Sequence, residues 1–97
     1  MSKIKLDFKF TIDGYQILSF QGPEVLSPAD LVGLDLPAGL DNKKGIVISG
    51  RGPVWLYAYL VHLCHSFLWV ATHDPRLGYV VVESHSIEYK PGDVIDS

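Results

Sequence analysis

Two short loops contain the residues of this 97-residue chain whose types and spacing best suit chemistry. The first, Ser49-Gly50-Arg51-Gly52-Pro53, combines a hydroxyl, two glycines and a guanidinium directly before an apolar stretch. The second, at residues 73–78, contains Asp74 and Arg76, and Arg51 and Arg76 are the only two arginines of the chain. Glycines let backbone N–H groups approach a ligand closely, and arginine binds phosphate through paired hydrogen bonds. The two loops therefore predict an anion-binding site if the fold brings them together.

The apolar pattern around these loops indicates a β-α-β unit that would do so. Residues 45–49 form a short apolar run typical of a buried strand. Pro53 opens a helix that we expect to end at about His65, and a strand at 67–72 follows it. Strands joined in this way are parallel, so the loops that follow them leave the sheet at the same edge, where ligands commonly bind.

The rest of the chain predicts an α+β fold. Apolar and polar residues alternate at the start, and Asp13-Gly14 is typical of a hairpin turn. Ser27-Pro28 predicts the N-cap and first position of a second, shorter helix, and Ile87 begins a short edge strand before Pro91. We expect one domain over 1–97, with a ferredoxin-like mixed sheet of order β-β-α-β-α-β-β and its helices on one face. In chain order the predicted elements are a strand at 4–12, a strand at 15–20, a helix at 27–34, a strand at 45–49, a helix at 53–65, and strands at 67–72 and 79–84.

Composition limits the partners of such a domain. The chain contains eight Lys and Arg residues and eleven Asp and Glu residues, so its net charge is −3. Proteins that coat long RNA or DNA usually carry a basic stripe, so any nucleic-acid ligand should be small, and DNA is not expected. The lone Cys64 excludes an internal disulfide and is typical of a buried structural thiol. Residues 54–71 contain no Asp, Glu, Lys or Arg, but their apolar pattern changes midway from a helical to a strand-like period. This favours a buried helix followed by a buried strand over a membrane span, and we expect a cytoplasmic protein.

The histidines suggest a second group of candidate residues, at the other edge of the sheet. His65 lies near the end of the long helix, and His85 ends the strand that returns from the second loop. Histidine and aspartate suit divalent metals and general acid–base work, although each histidine on its own also fits an ordinary surface position. A strand of about seven residues, roughly 20 Å at ~3.3 Å per residue, separates His65 from Asp74. One subunit alone is not expected to bring those two together.

These segments resemble the small Csx-type ring nucleases of type III CRISPR systems. The similarity covers about residues 45–95, and the earlier residues agree mainly in pattern. One departure is Ser66, since the family is expected to have proline after the residue matching His65. The matching positions are 48–57, 60–62, His65, 74–78, 80–82, Ser84 and His85.

The resemblance implies a homodimer that binds cyclic tetra-adenylate and hydrolyses it to linear oligoadenylates, which ends antiviral signalling. It also implies manganese dependence and head-to-tail stacking of dimers into a tetramer or filament. The sheet edge of one dimer that contains Arg51 and Arg76 would then hold the cyclic ligand, and the edge of another dimer that contains His65 would close over it. For ligand binding the loops and the resemblance together indicate Ser49, Gly50, Arg51, Gly52 and Arg76. For catalysis the resemblance implies His65, Asp74 and Arg76, and for metal binding His65, Asp74 and His85.

Three alternatives remain open at this point. A manganese-dependent 3′-exonuclease that removes adenosines from RNA would use the same residues, although the acidic charge balance lacks the extended basic track that linear RNA needs. A sensor that sequesters the cyclic messenger without cutting it is also compatible, because the pattern for binding is stronger than the pattern for catalysis. The third alternative is an interaction module that binds no nucleotide.

Overall fold

The computed structural model describes residues 3–97 and contains one α-helix and a six-stranded sheet. It confirms the predicted α+β class, with the α-helix on one face of a mixed sheet, and is compatible with a ferredoxin-like arrangement. A single 3₁₀ turn, Pro28–Leu31, precedes the third strand. The other elements are β1 (Lys5–Phe10), β2 (Gln16–Gln21), β3 (Ile46–Ser49), α1 (Val54–Leu63), β4 (Trp69–Asp74), β5 (Gly78–Ser84) and β6 (Val94–Ile95).

The strand directions determine which loops are neighbours. The strands lie in the order β1 to β6, with β2, β3 and β4 parallel to one another and the remaining pairs antiparallel. Ser49 and Asp74 therefore both lie where parallel strands end, and we call this side of the sheet the carboxyl edge. The opposite side, where Ile46 and Trp69 begin their strands, is the amino edge.

Helix α1 covers one face of the sheet. Its sequence contains no Asp, Glu, Lys or Arg, and Leu56 and Leu60 are fully buried against the sheet. Cys64, which caps the helix, is also fully buried, and burial raises the pKa of its thiol to about 12. Cys64 is therefore a neutral structural thiol at physiological pH, as predicted from its apolar surroundings. The buried residues of this face are Ile4, Leu18, Phe20, Leu34, Ile46, Ile48, Leu56, Leu60, Cys64, Phe67 and Val70.

The opposite face is partly covered by the end of the chain. Trp69 is almost fully buried there, and its ring lies 5.0 Å from that of Tyr89. The edge strand predicted at Ile87 is wrong, because Ile87 is fully exposed and the strand is β6, which follows Pro91-Gly92. Gly92 adopts φ of 99° and donates a hydrogen bond to the Val81 carbonyl, which brings the chain back to the sheet after Pro91 rather than before it.

The helix predicted at 27–34 is also wrong in extent. Ser27 does form the expected N-cap, and a capping box joins it to Asp30. The helix nevertheless stops after one 3₁₀ turn, since Val32 is extended and Gly33 adopts φ of 78°. Local capping specified where the turn starts, and the glycine ended it before an α-helix formed.

The uncharged segment at 54–71 is divided between two elements. Helix α1 takes ten of its residues, and β4 begins at Trp69. No helix within residues 3–97 combines the length and the apolar character needed to cross a bilayer.

One glycine is expected to be essential for the packing of the sheet. A methyl group added at Gly45 would lie 1.9 Å from Cε2 of the buried Trp69 ring. We expect Gly45→Ala to lower the free energy of unfolding by about 1–3 kcal/mol or more, because the indole cannot shift without disturbing its neighbours. Urea denaturation measures the loss. Asn42→Ala, an exposed substitution in the same loop, is the control, and equal midpoints for the two variants would contradict the prediction.

Candidate functional site

A pocket of about 450 Å³ opens at the carboxyl edge. The β3–α1 loop supplies most of its wall, and the ends of α1 and β4 supply the rest. It therefore joins four of the five predicted ligand-binding residues with parts of the second loop, as the parallel topology led us to expect. We call it the carboxyl-edge pocket, and its lining residues are Ser49, Gly50, Arg51, Gly52, Tyr57, His73 and Pro75.

The beginning of α1 provides a partial positive charge directly after the loop that lines this pocket. Pro53 is the N-cap and provides no side-chain hydrogen bond, and the first turn contains no acidic residue. The first N–H groups of the helix therefore retain their partial positive charge beside the exposed Arg51. An anion placed at the loop meets both a helix N-terminus and a guanidinium.

Tyr57 holds the loop in place from within the helix. Its hydroxyl accepts a hydrogen bond from the Gly50 N–H at 3.1 Å and donates one to the Gly50 carbonyl at 2.5 Å. The Phe20 ring packs edge-on against Tyr57, and a methyl group added at Gly50 or Gly52 would lie within 2.8 Å of that ring. Both glycines are thus required by the close approach of the loop to an aromatic side chain. Burial raises the pKa of the Tyr57 hydroxyl, so it remains a hydrogen-bond donor.

Removing that hydroxyl tests how strongly it holds the loop. We expect Tyr57→Phe to lower the free energy of unfolding by about 1–2 kcal/mol, because the half-buried Gly50 amide and carbonyl both lose their partner. The ring contact with Phe20 is retained in this variant. Chemical denaturation measures the change, with Tyr59→Phe on the same helix as the matched control. A loss no larger than that of the control would show that the hydroxyl does not stabilise the loop.

A second contact joins the two strands at the pocket. Ser49 Oγ lies 3.0 Å from His73 Nδ1, and the His73 ring packs edge-on against Tyr79 with centroids 5.1 Å apart. Neither His73 nor Tyr57 was among the site residues predicted from the sequence. The pairing of the strands explains why His73 belongs to the site. Ile48 pairs with Thr72 in the parallel ladder, so the residue after each of them, Ser49 and His73, lies beside its counterpart on the opposite face of the sheet.

Asp74 ends β4, and Arg76 lies in the turn that follows it. Asp74 Oδ1 accepts hydrogen bonds from the backbone N–H groups of Arg76, at 2.8 Å, and Leu77, at 3.0 Å. These two bonds lower the pKa of the Asp74 carboxyl, first through Arg76 and then through Leu77. Arg76 is exposed and lies beside Pro75 at the same edge, but it is not part of the pocket wall. The turn therefore presents a carboxylate and a guanidinium next to the pocket.

The other predicted catalytic residues lie at the amino edge. His85 Nε2 is 3.0 Å from the His65 carbonyl oxygen and 3.8 Å from a carboxylate oxygen of Glu83. His65 Nδ1 lies 2.9 Å from the His62 carbonyl, and the two imidazoles stack with centroids 5.8 Å apart. The His85 ring thus contacts the His65 backbone, while Asp74 is at the far end of β4, roughly 17 Å along a strand at ~3.3 Å per residue.

The predicted metal-binding residues do not assemble within one subunit. Among residues 3–97, no group of three or more His, Cys, Asp or Glu side chains is placed to hold a metal ion. His65 and His85 each direct a ring nitrogen at a backbone carbonyl, and Asp74 binds backbone N–H groups at the opposite edge. A manganese site built from these three residues needs a second copy of the chain.

Two comparisons with known proteins relate this geometry to a family. A family model described as CRISPR-associated protein (Cas_csx3) matches residues 19–96. The chain belongs to this family. The match includes the complete carboxyl-edge pocket and the histidines of the amino edge. An uncharacterized protein of Aquifex aeolicus (strain VF5) is 44% identical over 87 residues, which span 86% of this chain and 78% of that relative.

Proposed function

We propose that this chain binds cyclic tetra-adenylate in the carboxyl-edge pocket and cleaves it to linear oligoadenylates, so that it ends type III CRISPR signalling. The observation that carries the proposal is the loop at 49–52, which places Arg51 in the pocket and leads directly into the uncapped start of α1. Phosphodiester groups are the anions that such a combination suits. Membership of a CRISPR-associated family supports the biological setting.

The dimensions of the pocket favour a compact ligand. Its volume of about 450 Å³ is typical of small-molecule sites, and the chain as a whole carries a net charge of −3. A long RNA would need cationic side chains along an extended path. A ring of four identical nucleotides has two-fold symmetry, so a dimer that presents two copies of the pocket matches it.

The proposed reaction is an attack by a ribose 2′-hydroxyl on the adjacent phosphorus. The 2′-oxygen forms a bond to phosphorus, the bond from phosphorus to the 5′-oxygen breaks, and the 2′-proton passes to His65 acting as base. The departing 5′-oxygen takes a proton from solvent. Arg76 would stabilise the charge that develops on the phosphoryl oxygens. The product is a linear oligoadenylate with a cyclic phosphate at its 3′ end.

This reaction requires two copies of the chain. His65 lies at the amino edge and Arg76 at the carboxyl edge, on opposite sides of the same subunit. Head-to-tail stacking would bring the amino edge of one dimer over the carboxyl-edge pocket of another. The manganese dependence that the resemblance implies would belong to the same composite arrangement, in which His65 and His85 of one copy and Asp74 of another would hold the ion.

A non-catalytic sensor is the second candidate. The specific observation in its favour is that the binding pocket is complete within one subunit, whereas His65 and His85 are remote from it. A protein of this kind would hold the messenger without cutting it. Turnover, which binding alone does not produce, separates the two candidates.

The test is incubation of radiolabelled cyclic tetra-adenylate with the full chain, with and without manganese, over a range of protein concentrations. Cleavage that rises faster than linearly with protein supports a ring nuclease with a composite site. Tight binding without products supports the sensor, and absence of binding rejects both. Linear tetra-adenylate is the matched substrate, and preferential degradation of it would identify an exonuclease instead.

A further inference from the structure

We infer that His73 contacts the ligand in the carboxyl-edge pocket by donating a hydrogen bond from Nε2 to a phosphate oxygen, and that Ser49 acts by orienting it. The inference rests on the proposed function, because it concerns the same pocket. It changes the assignment of residues, since Ser49 becomes a positioning residue and a histidine that the sequence analysis left aside becomes a contact residue.

The geometry leaves one nitrogen of the ring available. His73 lines the pocket, and its Nδ1 is engaged by Ser49 Oγ at 3.0 Å. Its Nε2 makes no hydrogen bond to any of residues 3–97. Tyr79 packs edge-on against the ring at 5.1 Å between centroids, so the ring is held on two sides and presents Nε2 in a fixed direction.

The number of available protons decides which atom meets the ligand. A serine hydroxyl has one proton to donate, and a neutral imidazole has one N–H. If Ser49 donates to His73 Nδ1, the ring proton sits on Nε2, which becomes a donor available to a ligand. In the reverse arrangement Nδ1 donates to Ser49, and Nε2 then offers a lone pair, which an anion disfavours. Of these two neutral forms, a bound phosphate selects the first, in which the serine donor is already used.

Ser49 and His73 should accordingly behave as one unit in binding. Without the Ser49 hydroxyl, the His73 ring is free to adopt the tautomer protonated at Nδ1. Without the His73 imidazole, the Ser49 hydroxyl has no ring to orient. The effects of Ser49→Ala and His73→Phe are then strongly non-additive. Two independent phosphate contacts would give additive effects instead.

Isosteric substitutions distinguish a ligand contact from a packing role. Phenylalanine at position 73 retains the ring and its contact with Tyr79 but has no donor. The amide nitrogen of glutamine lies near the place of Nε2, and that of asparagine lies near the place of Nδ1. We expect His73→Phe and His73→Asn to weaken binding by about tenfold to a hundredfold, and His73→Gln to recover most of the affinity. A role limited to packing would favour phenylalanine over glutamine.

The experiment is an equilibrium titration of the full chain with cyclic tetra-adenylate. The variants are Ser49→Ala, the three His73 substitutions and the double variant Ser49→Ala/His73→Phe. Thr72→Val, a neighbouring substitution in β4 outside the pocket wall, is the control, and urea midpoints establish that each variant folds. Weak binding by the phenylalanine variant, recovery with glutamine and no further loss in the double variant support the inference. Wild-type affinity in His73→Phe, or additive losses, would overturn it.

Failure of the proposed function is separable from failure of this inference. If the unmodified chain does not bind cyclic tetra-adenylate, the proposed function is wrong, and inorganic phosphate becomes the probe. The ring ¹⁵N signals of the four histidines are followed at constant pH, with His73 assigned from its glutamine variant. A shift confined to the His73 Nε2 signal supports the contact with phosphate, and an unchanged signal overturns it.

Discussion

Replacement of Arg51 by alanine is expected to weaken the binding of cyclic tetra-adenylate by about a hundredfold or more. A hydrogen bond to a charged group contributes about 1.5–3 kcal/mol. In a dimer that binds one cyclic ligand, the substitution removes this contact from both subunits. Arg51 is exposed within the pocket, so its removal leaves no buried group without a partner. An equilibrium titration with labelled ligand measures the loss.

Two controls separate recognition from simple charge. Arg51→Lys retains the positive charge but not the planar pair of donors, so its affinity should lie between those of the unmodified chain and Arg51→Ala. Lys9→Ala removes an exposed cation on the edge strand β1, outside the carboxyl-edge pocket, and should bind as the unmodified chain does, provided that its urea midpoint is unchanged. Equal affinities for Arg51→Ala and Lys9→Ala would show that the loop does not hold the ligand.

Loss of the His65 imidazole is expected to slow cleavage by about a hundredfold to ten-thousandfold, the usual contribution of a general base. Binding should change less, because the carboxyl-edge pocket does not include this residue. Single-turnover cleavage at saturating ligand measures the step directly. His62→Ala is the matched control, since the two imidazoles stack on the same surface at 5.8 Å.

Mixing variants tests whether the site is shared between copies. Arg51→Ala retains the amino-edge histidines and His65→Ala retains the pocket, so each variant provides the half that the other lacks. If head-to-tail stacking builds the site, the mixture cleaves faster than either variant alone. A mixture as slow as its components would reject the composite site. Full activity in His65→Ala alone would mean that another group removes the proton.

Short-range features of the fold were predictable from sequence because neighbouring residues determine them. The hairpin turn at Asp13-Gly14 was correctly placed, since it depends on a glycine that accepts positive φ, here 91°, whereas the strand predicted at 4–12 ends at Phe10 and leaves Ile12 fully exposed. The β-α-β unit was predictable for a similar reason. An apolar run, Pro53 and a charge-free helix follow one another, and chain connectivity then makes the strands parallel.

Features that depend on distant residues were not predictable. The strand β6 forms only because Val81 and the segment around Gly92 exchange backbone hydrogen bonds across the sheet, and Ile87 had the more strand-like local pattern. The helix expected after Ser27 had a proper cap but lasts a single turn, and Gly33, at positive φ, was the one local signal for its early end. Propensity describes a segment in isolation, and tertiary contacts decide whether it persists.

For the site, the sequence by itself determined that a hydroxyl, two glycines and two arginines follow strand ends and that a helix begins beside them. The identity and spacing of neighbouring residues suffice for this. Only the tertiary structure decided that Arg51 lines the pocket and Arg76 lies outside its wall, that Tyr57 holds Gly50, and that Ser49 meets His73. Those contacts span 7 to 24 residues and arise from strand register and helix packing, which bring side chains together at distances that residue order does not encode.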